Sequence, residues 1–187
     1  MPKPAPLLIA LTQHNLGLLY QETQRYEESE KAFSESLEIR RRMAKSNPAA
    51  YEYDSAQTLF CLGILYKETQ RMEKAEKAYL EALEIRRKLA RIHVAYELDV
   101  AHSLHNIGIV YQLTQRPTEA EKAYLESLVI RRKLAKFDFA LYGVEVENIL
   151  RSLGYLYYAT QRPEEAARVV NEADNINSSI KKQKGVN

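Results

Sequence analysis

Along most of the chain apolar residues return at intervals of three and four, the spacing of one face of an α-helix. Leu59, Leu62 and Tyr66 follow this rule, and after a short polar break Ala75, Ala78, Tyr79, Ala82, Ile85 and Leu89 follow it again. No run alternates apolar with polar residues between Asn-Gly or Asp-Gly turns, so strands are not expected. The pattern predicts an all-α chain of helix pairs. First helices are expected near 6–23, 53–69, 97–114 and 143–160, and second helices near 26–46, 72–92, 117–137 and 163–180. Pro117 and Pro163 fall at the start of second helices, where a missing backbone N–H costs nothing.

The pairs are copies of one another. Four of the six glycines, Gly17, Gly63, Gly108 and Gly154, lie 46, 45 and 46 residues apart. Seven residues after each comes Gln-Arg, within Thr23-Gln24-Arg25, Thr69-Gln70-Arg71, Thr114-Gln115-Arg116 and Thr160-Gln161-Arg162. Three copies continue as Glu-Lys-Ala-aromatic (Glu30 to Phe33, Glu76 to Tyr79, Glu121 to Tyr124) and then Ile-Arg-Arg from Ile39, Ile85 and Ile130. The fourth drifts to Ala167-Arg168-Val169-Val170. Such a period means units that bury their apolar faces only by stacking. The expected organisation is a flexible tail at 1–6, four hairpins at about 7–50, 51–95, 96–141 and 142–180, and a polar tail at 181–187 that frays.

Glycine inside a helix costs about 1 kcal/mol relative to alanine, so four at matching positions need a reason. Close helix crossing supplies one, with the small Ser29, Ala75, Ala120 and Ala166 opposite. The tyrosines three residues later, Tyr20, Tyr66, Tyr111 and Tyr157, are expected to fill the wedge as core residues.

Composition narrows the classes. In 187 residues, 45% hydrophobic and 28% charged content describes an ordinary folded chain, and a net charge of +2 announces neither a nucleic-acid nor a membrane protein. One folded unit is expected at this length. The lone Cys61 excludes an internal disulfide and fits a reducing compartment. The longest N-terminal apolar run, Leu7 to Leu11, is too short for a signal segment or a membrane span, so a cytoplasmic location is expected. No phosphate loop, dinucleotide loop, nucleophile elbow or triad is present. No enzyme activity and no cofactor are expected. His102 and His105 have a spacing that can share a metal, but no carboxylate stands at the next turn, so no metal is expected.

Leu62-Gly63-Ile64-Leu65-Tyr66 followed by Ala75 and Tyr79, and Ile107 to Tyr111 followed by Ala120 and Tyr124, resemble the tetratricopeptide repeat signature. The resemblance covers residues 7–180 and implies an α-α superhelix. The period exceeds the usual ~34 residues, and Arg41, Arg87 and Arg132 stand where a proline often ends the second helix. These long units, with Leu-Glu-Ile-Arg in the second helix and Asp54 or Asp99 opening the next, look like the kinesin light chain type.

The resemblance implies a concave face lined by first helices, along which a peptide or protein segment lies. Carried onto this sequence, the groove residues are His14 and Asn15, then Gln57, Phe60, Cys61 and Lys67. The third hairpin adds His102, His105, Asn106 and Gln112, and the fourth Asn148, Arg151, Tyr155 and Tyr158. A carboxylate clamp is not expected, because only Asn15 fits it, whereas His14, Cys61, His102 and Asn106 replace its other donors.

Two further surfaces stand out. Arg40-Arg41-Arg42, Arg86-Arg87-Lys88 and Arg131-Arg132-Lys133 read as solvated helix ends that suit the helix dipole, with Glu38–Arg42 and Glu84–Lys88 as i,i+4 pairs. A phosphate or nucleic-acid ridge is the weaker reading of them. Leu7, Leu8, Ile9 and Leu11 at one end, and Val169, Val170, Ala173, Ile176 and Ile180 at the other, read as exposed apolar ends that pair between chains, so that the chain self-associates, or continue into further repeats.

Overall fold

The computed structural model describes residues 5–183. Among these residues there are eight α-helices and no strand: α1 (Pro6–Glu22), α2 (Tyr26–Ser46), α3 (Pro48–Glu68), α4 (Met72–Ile92), α5 (Glu97–Leu113), α6 (Pro117–Phe137), α7 (Phe139–Ala159) and α8 (Pro163–Gln183). The molecule divides into two compact units rather than the single one expected. One holds the hairpins α1/α2 and α3/α4 and ends at Val94; the other begins at Ala95 and holds α5/α6 and α7/α8.

Caps account for where the observed helices depart from the expected ones. The Asn47 side chain accepts a hydrogen bond from the Ala50 N–H at 3.3 Å, with Pro48 in the first turn, so α3 starts five residues before the expected 53. Asp138 caps α7 in the same way through the Leu141 N–H at 3.0 Å, and that helix starts four residues before 143. At the remaining connector His93 ends α4, and a 3₁₀ turn, Val94–Tyr96, precedes α5. The last helix continues through Lys181 to Gln183, residues expected to fray. The rest of the two expected tails, 1–4 and 184–187, lies outside the described residues.

Inside each hairpin the chain reverses at Thr-Gln-Arg. Gln24, Gln70, Gln115 and Gln161 all take the left-handed conformation, with φ of 58°, 58°, 58° and 59°. The next N–H closes a six-residue loop, as from Arg25 to the Tyr20 carbonyl at 2.7 Å, and the threonine hydroxyl satisfies another carbonyl, as Thr23 does for Leu19 at 2.8 Å. This arrangement terminates a helix by the Schellman pattern, where glycine is the usual residue.

The repeat glycines do mark close helix crossing. A Cβ on Gly63 would lie 2.5 Å from the Tyr79 ring, one on Gly108 2.4 Å from Tyr124, and one on Gly17 2.6 Å from Phe33. What each glycine admits is the aromatic ring of the second helix; in the fourth hairpin Val170 takes its place at 2.8 Å. Ser29 adds a hydrogen bond to the Gly17 carbonyl at 2.8 Å. The tyrosines three residues later are not uniformly wedges. Tyr20, Tyr66 and Tyr111 are only half-buried, each under the turn arginine of its own hairpin, while Tyr157 is buried beneath Arg162.

Phe33 and Leu37 of α2 pack with Leu59, Leu62 and Leu65 of α3 in the first unit, and Leu128 packs with Ile149, Leu150 and Leu153 in the second. The C-terminal helix departs from expectation. Val169, Ala173 and Ile180 are buried and Val170 and Ile176 partly so, because α8 turns this stripe onto α7. On α1, Leu7, Leu8, Ile9 and Leu11 are exposed, Leu8 by 57%.

Gly63→Ala is expected to destabilise the protein by about 1–3 kcal/mol, since the fully buried Tyr79 ring has no room to retreat. Gly143→Ala, whose nearest neighbours are 3.3 Å away, is expected to stay within about 1 kcal/mol of wild type. Urea unfolding of the pair reads the contrast. Gln70→Gly is expected to raise stability by up to about 1 kcal/mol by relieving the left-handed backbone.

Candidate functional site

Three arginines expected to be solvated are buried. Arg40, Arg86 and Arg131 are 4%, 1% and 1% exposed, and Arg40 and Arg131 leave their second helices to run between the first helices of their own unit. Arg40 donates to the Asp54 carbonyl at 2.8 Å and the Thr58 hydroxyl at 2.6 Å, both on α3. Arg131 donates to the Glu145 carbonyl at 3.0 Å and stands 3.3 Å from the same residue's carboxylate on α7. A guanidinium is suited to this position because one planar group serves several acceptors. Arginine-rich composition reads as solvated by default; only the recurrence of Ile-Arg-Arg in three copies could have hinted otherwise.

The buried arginines organise the first-helix faces. In the first unit Arg40 lies 3.4 Å from His14 Nδ1, and Thr58 Oγ1 lies at the same distance. The His14 ring meets Phe33 edge-on at 5.5 Å. Burial first, and then the Arg40 charge, lower its pKa to about 4 against a smaller opposing pull from Asp54. The imidazole is therefore neutral at physiological pH. Phe60 repeats the arrangement, edge-on to Tyr79 at 5.4 Å and beneath Arg86 at 4.3 Å, while Gln57 accepts from Arg86. Burial pushes the Cys61 thiol up to about 11, so it is a packed sulfur and not a thiolate. Burial also lowers the pKa of Lys67, and Asn15 is exposed.

In the second unit α5 and α7 bring together several of the expected groove residues. His102 Nε2 lies 3.2 Å from the Glu145 carboxylate, whose pKa is held below the usual range first by that hydrogen bond and then by Arg131 and both histidines. His105 lies 2.8 Å from Ser152 Oγ, with its ring edge-on to Tyr124 at 5.7 Å. Asn106 donates to the His102 carbonyl at 3.0 Å, and Gln112 accepts from the Tyr124 hydroxyl at 3.0 Å. Arg151 is paired with Glu147 at 2.9 Å and Asp174 at 3.0 Å. Asn148, Tyr155 and Tyr158 are exposed, the tyrosines by 73% and 78%.

Ser152 and His105 have the reach of a nucleophile and base, but the other imidazole nitrogen faces Arg131 at 3.5 Å, a charge that opposes the imidazolium a base must become. Among the described residues no group of three His, Cys, Asp or Glu side chains is placed to hold a metal, and no helix is long and apolar enough to cross a membrane.

A second interaction joins hairpins within each unit. Glu30 of α2 pairs with Arg71 at 2.5 Å and draws a hydrogen bond from Tyr66; Glu121 of α6 pairs with Arg162 at 2.6 Å and accepts from the Tyr157 hydroxyl at 3.0 Å. The repeated Glu of Glu-Lys-Ala-aromatic and the Arg of Thr-Gln-Arg are thus the two halves of one joint.

Residues 8–88 and 54–133 each match the tetratricopeptide repeat model. The crystal structure of BtubC (BKLC) from P. vanneervenii is similar at 24% identity and a TM-score of 0.79, over 96% of this chain and 67% of that one. The apo form of RapI is similar at 19% identity and a TM-score of 0.79, over 95% of this chain; the match spans 58% of that protein. The Rap conjugation gene regulator of plasmid pLS20, solved with the Phr* peptide, is 16% identical with a TM-score of 0.66, over 87% of this chain and 41% of its own. At these identities the likeness is one of fold, all-α and of the tetratricopeptide solenoid type. No curated protein sequence matches the chain.

Because His14 has a lower pKa folded than unfolded, the unfolded chain takes up its proton first. Its contribution is complete above pH ~6.5 and is expected to be lost as pH falls towards about 4, costing about 2 kcal/mol once the full shift, about 3 kcal/mol, is reduced for solvent screening of the partly exposed ring. Denaturant unfolding of wild type and His14→Gln between these pH values checks this, the variant showing the shallower slope.

Proposed function

The chain belongs to the tetratricopeptide repeat family, and on that premise we propose that it is a non-enzymatic scaffold, working in the cytoplasm, whose first-helix faces hold a peptide or protein segment. The observation that carries the reading is on α7. Tyr155 and Tyr158 stand almost wholly in solvent, at helical spacing from Asn148 and Arg151. Large amphipathic side chains exposed beside amide and guanidinium donors are the usual makings of an interface hot spot. Beside them His102, Glu145, His105 and Ser152 form a polar floor already fixed by mutual hydrogen bonds. Such a floor presents its remaining donors and acceptors without first having to order them. In the first unit Asn15, Gln57, Phe60, Cys61 and Lys67 offer a more apolar counterpart.

Fold precedent points the same way, since the Rap regulator of pLS20 was captured with the Phr* peptide. The phosphate or nucleic-acid reading of the arginine clusters is weakened by geometry. Their first arginines are buried, Arg41 is paired with Glu81, and Arg132 is paired with Glu172 at 2.5 Å. A ridge neutralised in this way keeps little charge for a phosphate backbone.

Peptides selected against the full-length chain from a random display library supply the test. Replacing Tyr155 and Tyr158 together by Ala is expected to weaken their binding tenfold or more, with the helical circular dichroism unchanged. Affinity that ignores this change, and also ignores Asn15→Ala and Asn148→Ala, would remove the site from the first-helix faces.

A further inference from the structure

The second helices of the first unit enclose a trough that is separate from the first-helix faces. It lies between α2 and α4, is open to solvent and encloses about 640 Å³. Its floor is apolar: Leu37 of α2, Leu59 and Leu62 of α3 and Ala78 of α4 are all buried, with the half-buried Tyr66 beside them. By helical spacing these α3 residues point away from Phe60, Cys61 and Lys67, so the trough and the candidate peptide surface use different sides of that helix.

The walls are cationic. Arg41, Arg42 and Lys45 stand on α2, and Lys74 and Lys77 on α4, against two carboxylates, Glu38 and Glu81. The trough is therefore more positive than the whole chain, whose net charge is +2. Both carboxylates sit in exposed pairs: Glu38 lies 3.5 Å from Arg42, and Glu81 pairs with Arg41 across the trough. Lys74 stands 3.5 Å from Glu30, which Arg71 already holds. Pairs this exposed are weak, and an incoming carboxylate exchanges with them at little cost. The aliphatic stems of the arginines and lysines extend the apolar floor up the walls.

The feature belongs to the first unit and not to the repeat as such. The repeat glycines place the equivalent residues of the second unit 91 positions on. There Ser34 becomes Leu125, Glu38 becomes Val129, Lys74 becomes Glu165 and Ala78 becomes Val169. Larger side chains fill the small positions, and an acid replaces a wall cation. Lys133, in place of Arg42, is paired with Glu97 at 2.5 Å.

Length and charge layout select the occupant. From Ser34 to Lys45 the α2 wall runs about 16 Å, or about three helical turns. A single-headed amphiphile such as a fatty acid answers one cation, whereas these are spread along both walls. A phosphate backbone would answer the walls and leave the apolar floor unused. We propose that the trough docks a short amphipathic helix of a partner protein, with apolar residues at i, i+3 or i+4, and i+7 on the floor and Asp or Glu along both flanks. Its carboxylates take the place of Glu38 and Glu81 beside Arg42 and Arg41, and meet Lys45, Lys74 and Lys77.

A displayed library of short helical peptides supplies the probe, with the full chain as bait. The apolar positions vary among Ala, Val, Leu, Ile and Phe, and the flanks carry Glu or Asp. Selected peptides are expected to bind saturably in fluorescence anisotropy. Lys45→Glu with Lys77→Glu, both at exposed positions, should weaken binding tenfold or more. Ser34→Leu, which copies Leu125, should do the same by filling the trough. Glu81→Gln, which releases Arg41, should tighten binding severalfold, an effect that loss of fold cannot produce. Tyr155→Ala with Tyr158→Ala should leave it unchanged, which separates the trough from the first-helix site. A companion library with Lys on the flanks should yield no binders. The proposal is overturned if acidic helices are not enriched, if basic ones are enriched equally, or if binding ignores both Ser34→Leu and the charge reversal. It is also overturned if dodecanoate or single-stranded DNA displaces the selected peptides at lower concentration than unlabelled peptide does, because the trough would then belong to a lipid or a nucleic acid.

Discussion

The glycine-to-ring contact within the first three hairpins sets the geometry on which the rest depends. An aromatic ring closer than 3 Å to where a Cβ would stand can exist only against bare backbone, and this brings the two helices of a hairpin together in one register. That register decides everything one turn away. The residue three before the glycine meets the same ring edge-on, as His14, Phe60 and His105 do. The arginine seven residues beyond the ring, Arg40 in the first unit and Arg131 in the second, is then delivered to the gap between first helices.

Placing a guanidinium there is costly unless its donors are met. Backbone carbonyls, a hydroxyl and a carboxylate meet most of them, leaving the buried Nε atoms of Arg40, Arg86 and Arg131 without a hydrogen bond. A buried charge of this kind is weak as a source of stability and strong as a source of specificity, because a slipped register would leave it unpaired. The outer joint of glutamate, tyrosine and turn arginine works in the same direction with smaller, solvent-screened energies. Together they make stacking directional: a second helix offers Glu and Arg, and the next first helix receives them.

The candidate binding surface inherits its chemistry from that framework. His14 and His105 both stand against the buried arginines, and burial first, with the Arg40 charge second, keeps His14 neutral. The side chains that remain in solvent, above all Tyr155, Tyr158, Asn148 and Asn15, carry the recognition reading. Groove residues inferred by resemblance therefore divide into two kinds, those that hold the floor in place and those that stand on it.

Periodicity in the sequence was enough to determine the helix pairs, their turns and the all-α class, because apolar spacing and repeated glycines are local signals of how a rod must be packed. It also marked the positions of the buried arginines without revealing their burial. Charge in a sequence reads as solvated, and only the meeting of three helices from two hairpins supplies acceptors that let a guanidinium leave water. The early starts of α3 and α7 lay in single capping residues, Asn47 and Asp138, which an apolar count does not register. Whether Val169 and Ile180 face solvent or core depended on which helix has a neighbour on that side. Burial is a property of the assembled stack, and the chain order alone does not contain it.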